Sequence, residues 1–126
     1  MYRSIHFTPR DFRVPESEQF LSVYSGEAAT TESRLDLSLV LEQLSIKYDL
    51  LHPANPMHFM LRNVPILSLD QFHMWVLDLL NLPSESMQMD FRWVSAAWIA
   101  NEESDDRMLI GVGRESWCVI HWYTTA

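Results

Sequence analysis

Apolar residues recur along this chain in two rhythms, and the places where the rhythm changes divide it into elements. Residues 2–8 alternate weakly, which predicts an edge strand with Ile5 and Phe7 near the core before Pro9 stops it. From Pro15 the pattern predicts a short helix. Proline suits the first helical position, Glu16 and Glu18 complement the positive end of the dipole, and Gly26 suits the C′ position. Phe20, Leu21 and Tyr24 would form its apolar stripe. After a loop over 27–33, a second helix is expected over 34–48 with Ser33 as N-cap, because Leu37, Val40, Leu41 and Leu44 recur at helical spacing. Two prolines and an asparagine make 49–56 irregular, and 57–61 is a brief extended piece.

A third helix should run from Leu69 to Leu80, with Ser68 and Gln71 at capping-box spacing. It is apolar nearly all round, interrupted by Asp70, Gln71, His73 and Asp78, which predicts a central helix packed on more than one side. The remainder reads as an antiparallel meander. Met87, Met89, Phe91 and Trp93 alternate with polar residues, and 107–113 and 116–124 supply two more strands. Trp98 falls on the opposite parity from Trp93, which a bulge near residues 95–97 or a change of packing partner would explain. Gly113-Arg114-Glu115-Ser116 reads as a tight turn in which Gly113 supplies a positive φ. The final strand is apolar on both faces, so it is either central and covered twice or carries a binding surface. Together these elements predict an α+β domain over 1–126, about three helices on an antiparallel sheet of three to five strands, ending in a three-stranded meander.

Charge narrows the possible partners. The net charge is −8, and Arg3, Arg10, Arg13, Arg34, Arg62, Arg92, Arg107 and Arg114 are scattered, with Lys47 the single lysine. Such a balance repels nucleic-acid phosphates and anionic lipid, so direct nucleic-acid or membrane-surface binding is not expected. An apolar fraction of 48% argues against disorder. No signal peptide or membrane span is read, and one cysteine, Cys118, allows no internal disulfide, so a cytoplasmic setting is expected.

Catalytic and metal chemistry leaves no signature in the sequence. The histidines at 6, 52, 58, 73 and 121 lie far apart, with no ligand-spaced pair, so neither a metal nor a cofactor is expected. Cys118 between Trp117 and Val119 reads as a buried small hydrophobe, and Gly111-Val112-Gly113 as turn chemistry rather than a phosphate loop. No enzymatic activity is expected.

What the chain does carry is four of its five tryptophans in its last third, around the acidic turn Glu102-Glu103-Ser104-Asp105-Asp106. That turn is either a solvated hairpin tip that discourages sheet aggregation or a loop that steers a basic partner. Trp98 and Trp122, on the parity opposite their strands' main apolar face, are the candidate interface anchors, while Trp75 belongs to the core. The partner-binding candidates are therefore Glu102, Glu103, Asp105, Asp106, Trp98 and Trp122. The expected function is a small acidic inhibitor, immunity-type or anti-defence, that covers the cationic site of a basic macromolecule such as a nuclease toxin or nucleic-acid-binding effector. That comparison is a physical analogy rather than a motif match. A secretion-chaperone-like adaptor that binds a peptide by strand addition, and a small-molecule-binding α+β domain, are the alternatives.

Overall fold

The computed structural model describes residues 2–27 and 65–125. Its framework is one antiparallel sheet of six strands: β1 (Tyr2–Phe7), β2 (Gln19–Glu27), β3 (Ile66–Leu67), β4 (Ala96–Glu103), β5 (Asp106–Val112) and β6 (Ser116–Thr124). Their order across the sheet is β1-β2-β6-β5-β4-β3. A single α-helix among the described residues, α1 (Leu69–Leu80), lies against β4 and β5, and two short 3₁₀ turns occupy Pro9–Asp11 and Pro15–Ser17. This corrects the expectation of three helices on three to five strands. The expected helix over 34–48, with the neighbouring loop and extended pieces, lies outside the described residues.

The helix expected from Pro15 is a single 3₁₀ turn that runs into β2. Its N-terminal signals are real, but they start one turn only. Beyond it, Leu21 and Val23 are buried at a period of two while Phe20, Ser22 and Tyr24 take the other face, as a strand requires. Gly26 is not a helix cap. It sits within β2 opposite Trp117. The weakly alternating 2–8 segment does form an edge strand, with Ile5 exposed and Phe7 against the core.

Helix α1 starts as its sequence indicates, with the Ser68 hydroxyl accepting from the Gln71 amide. Its apolar circumference misleads. Phe72, Val76, Leu79 and Leu80 are buried, whereas Met74 and Leu77 point outward at 64% and 62% exposure, so the helix packs on one face. The alternating 87–93 segment is also not a strand. Met87 and Met89 pack against the core and Phe91 is buried, while Gln88, Asp90 and Arg92 face solvent. The alternation correctly sorted side chains but found no backbone partner, and the first strand of the meander begins at Ala96. The register shift falls between Ile99 and Asn101, not near 95–97.

Cross-strand pairing sorts the sheet into two faces. On the face that meets α1 lie Leu21, Val23, Ala97, Ile99, Leu109, Gly111, Cys118 and Ile120, which join Phe72, Val76, Leu79 and Leu80 in one core. On the opposite face Ile110, Val112, Trp117 and Val119 are buried too. The centre of β6 is thus covered twice, which explains its doubly apolar sequence. The turn after β5 closes through the Gly113 amide, which donates to the Ser116 carbonyl at 2.8 Å. No glycine among the described residues has positive φ, so Gly113 is needed for space instead: a Cβ there would lie 2.7 Å from the Trp93 carbonyl oxygen and ring. Among the described residues no helix is long and apolar enough to cross a membrane.

Gly111 is the tightest point of the core. A Cβ built there would sit 2.8 Å from Cys118 Sγ, 2.9 Å from Phe72 Cζ and 3.0 Å from Val94 Cγ2. Overpacking of this kind costs about 1–3 kcal/mol. Gly111→Ala is therefore expected to lower the urea midpoint by the equivalent amount, and an unchanged midpoint would show that α1 rests on the sheet more loosely than this.

Candidate functional site

Antiparallel pairing brings together carboxylates that are distant in sequence. β2 and β5 begin, and β4 and β6 end, at the same end of the sheet. The β4–β5 hairpin places exposed Glu103, Ser104 and Asp105 there. The 3₁₀ turn before β2 adds Glu16 and Glu18, and the chain end ties the two groups together. The Thr124 amide donates to the Asp105 carbonyl at 2.9 Å, and Thr125 donates from its amide to the Glu18 carbonyl and from its hydroxyl to Glu18 Oε2 at 2.8 Å. Glu18 itself has φ 50° and ψ 45°, a left-handed conformation that a side chain with a Cβ adopts at a cost of about 1–2 kcal/mol. Strain of this kind is stored where a side chain's placement matters.

The six residues singled out from sequence have different fates. Glu103 and Asp105 are exposed at the hairpin tip. Glu102 is in β4 opposite Arg107, and its side chain is outside the described set. Asp106 is engaged: His121 Nε2 and Asp106 Oδ1 lie 2.8 Å apart, on the face away from α1. Trp98 and Trp122 are both half-buried, and Trp122 Nε1 donates to Gln19 Oε1 at 3.0 Å. The most exposed indole of the final third is Trp93, at 39%, while Trp117 is sealed at 1%. Trp75 is half-buried, with the Arg107 guanidinium 4.7 Å above its ring. Of the two candidate indoles, Trp98 and Trp122, only Trp122 lies at the end of the tip carboxylates, where its strand position is paired with Arg107.

One polar constellation was not anticipated. His6, Ser22 and His121 are direct cross-strand neighbours on the face away from α1. His6 Nδ1 and Ser22 Oγ share a hydrogen bond of 2.8 Å, and Asp106 holds the far nitrogen of His121. The ingredients resemble a nucleophile, a base and an orienting carboxylate. Attack by Ser22 on a carbonyl would need unpaired donors for the developing oxyanion. β2 is laddered to β1 on one side and to β6 on the other, which commits its amides to the sheet. The row is better suited to fixing β1 on β2 than to acyl transfer. Only the Asp106–His121 part was legible in the sequence, since a turn at 113–116 fixes a register that sets Asp106 diagonally across from His121. Ser22 fell in an expected helix, and its place beside His6 and His121 comes from strand pairing.

Burial pushes the Cys118 thiol far above its ordinary range, despite a weaker opposing hydrogen bond with the Gly111 backbone. No group of three or more His, Cys, Asp or Glu among the described residues could hold a metal ion. At the other end of the sheet, a cavity of about 410 Å³ opens between Arg3 and Glu27 on one side and Asp90 and Trp93 on the other. Asp90 is taken up by Arg92, whose Nε and Nη2 donate to its carboxylate at 2.6–3.0 Å and whose amide donates at 2.9 Å. These side-chain bonds, with the backbone bond second, hold the Asp90 carboxyl down to about 2 from an ordinary 3.8. A depressed carboxylate stabilises at neutral pH and loses that contribution as the pH falls through about 2, and full exposure keeps it small. The cavity presents cation and anion in balance and selects no ligand class.

No protein-family model, curated protein or solved structure matches this chain. A thiol probe offers a direct check on the reading of Cys118. In the folded protein at pH 8 it should leave Cys118 unmodified over hours and react promptly once urea unfolds the chain. Rapid labelling of the native protein would make this thiol an accessible nucleophile.

Proposed function

We propose that this protein is a small acidic inhibitor of the immunity or anti-defence kind, acting in the cytoplasm by covering the cationic site of a basic macromolecular target. The observation that carries this reading is the convergence of Glu16, Glu18, Glu103 and Asp105 on one end of the sheet, held by the chain end and by a strained backbone at Glu18. Carboxylates at this density raise the free energy of the isolated protein through mutual repulsion, and a cationic partner removes that repulsion. They also accelerate encounter, because opposite fields steer association. The net charge of −8 supports the same reading and disfavours phosphate-bearing partners.

The mechanism is steric and electrostatic. The hairpin tip meets Arg and Lys side chains of the target, while the neighbouring half-buried Trp122 excludes water at the margin. No bond is made or broken, and no cofactor is required. A second reading, an adaptor that adds a peptide strand, is favoured by one observation: β1 ends the sheet with Ser4, Ile5 and His6 exposed along a six-residue edge.

Immobilised protein should capture from its source cells one stoichiometric partner of high isoelectric point, identified by mass spectrometry. Glu103→Lys with Asp105→Lys should then slow association about tenfold or more at low salt while the melting temperature stays within a degree or two. An unaltered on-rate would remove the hairpin from recognition. Capture of a neutral extended peptide, lost on substituting Ser4 with proline, would favour the adaptor.

A further inference from the structure

The two edges of the sheet are finished differently. β3 is two residues long, and Pro65, which has no amide to offer, precedes it. β1 is six residues long, pairs with β2 without a bulge, and contains neither proline nor lysine. Among the described residues no strand lies beyond it, and Arg3, Ser4, Ile5 and His6 are exposed. Edges of this length are normally blunted, so an open one is suited to receiving another strand.

The ladder fixes which groups that edge offers. The Thr125 amide donates to the Glu18 carbonyl, so alternate residues of β2 from Phe20 onward bond β6. Leu21, Val23 and Ser25 are left to bond β1, through Phe7, Ile5 and Arg3. Ser4 and His6 therefore turn their amides and carbonyls outward. Thr8, next on that side, is already engaged, because its amide donates to Asp11 Oδ2 at 2.8 Å. The His6 ring is held in place by Ser22 Oγ at 2.8 Å and edge-on by Tyr24, so pairing would order little that is not ordered beforehand.

These groups complement themselves. We infer that two copies of this chain join antiparallel through β1, about a two-fold axis at Ile5, into one continuous sheet. Ser4 of one copy faces His6 of the other, and each pair exchanges its amide–carbonyl bonds. Ile5, 38% exposed in the single chain, meets its own copy at the closely spaced position between those pairs. Arg3 stands opposite Phe7 of the other copy, where a guanidinium can rest on a ring. Charge points to the same occupant. The first 13 residues set Arg3, Arg10 and Arg13 against Asp11 alone, in a chain of net charge −8. A cationic edge attracts an acidic partner, and a second copy is one. The axis also carries the Pro9–Asp11 turn of one copy, with exposed Arg10, toward exposed Glu27 at the far end of β2 in the other. Antiparallel pairing points the two acidic ends in opposite directions, which keeps their repulsion small and leaves both open. The pairing is thus independent of the inhibitor reading, and it takes β1 away from the peptide of the adaptor reading.

Sedimentation equilibrium of the wild-type chain should show a reversible shift from one copy to two between about 5 and 500 µM, the range of a small interface. Ser4→Pro removes an outward amide without touching the β2 ladder, and Ile5→Lys sets like charges on the axis. Each should weaken the dimer about tenfold or more, while the dilute protein melts within about 2 °C of wild type. Cα atoms at the axis lie about 4.5 Å apart, within disulfide range. Mildly oxidised Ile5→Cys should therefore link two copies, with buried Cys118 taking no part. This crosslink decides the matter if either other variant fails to fold. A wild-type chain that stays single throughout, a dimer indifferent to both substitutions, or Ile5→Cys that forms no link would each overturn the inference. A peptide held by a single chain and lost in Ser4→Pro would also overturn it, in favour of the adaptor.

Discussion

Phe72 reaches down from α1 to the strip of sheet where β5 and β6 offer Gly111 and Cys118, and the rest of the arrangement depends on that approach. Opposed residues there have almost no side chain, so the helix can come close enough for Val76, Leu79 and Leu80 to join the same core. A larger residue at Gly111 would lift the helix and open the layer to water. Because the contact fixes where α1 lies, it also fixes where α1 ends. The helix terminates at Asn81, whose amide closes back on the Leu77 and Leu79 carbonyls, and the chain then turns to bring Pro83 against Phe12.

Register does the same for charge. Once β2 pairs with β6 and β6 with β5, the residues preceding β2 and those at the β4–β5 turn have no choice but to meet. Glu18 and Asp105 become neighbours through Thr124 and Thr125, although nothing in their local sequence relates them. A protein selected for stability alone would place cations at such a meeting. Here the nearby Arg107 is drawn onto Trp75, beneath the surface, and the carboxylates are left outside.

Local signals were legible where one element could satisfy them alone. The Ser68–Gln71 spacing announced the start of α1, and the 113–116 turn set the register of the last hairpin, which by itself implies that Arg107 faces Trp122 and that Met108 faces His121. Non-local partners were not legible. Pro15 and Glu16 signal the first turn of an α-helix or of a 3₁₀ turn equally well. The conformation of residues 19–27 was decided instead by β1 and β6, which offer Leu21 and Val23 a sheet. The alternation from Met87 to Trp93 recorded correctly which side chains face inward, but alternation reports burial, and a strand also needs a neighbour for its amides. Likewise the acidic turn was visible in the sequence, while its extension to Glu16, Glu18 and Asp78 was not, because those residues arrive from other segments of the chain.

The unfavourable features near the acidic end differ from ordinary imperfections in how they are grouped. An anion at a helix C-terminus, exposed Met and Leu side chains and a left-handed glutamate each occur singly in stable proteins at modest cost. Here the helix-terminal Asp78, the left-handed Glu18 and the hairpin carboxylates share one end of the molecule, whereas the opposite end neutralises Asp90 with Arg92. Exposed apolar side chains are spread more widely, with Ile66 at 83% opposite Trp98. Residues chosen for stability resolve local conflicts independently, so unresolved ones should scatter. Their grouping beside the hairpin tip is what supports the proposal of a basic partner, because a cation placed there would relieve the carboxylates' mutual repulsion.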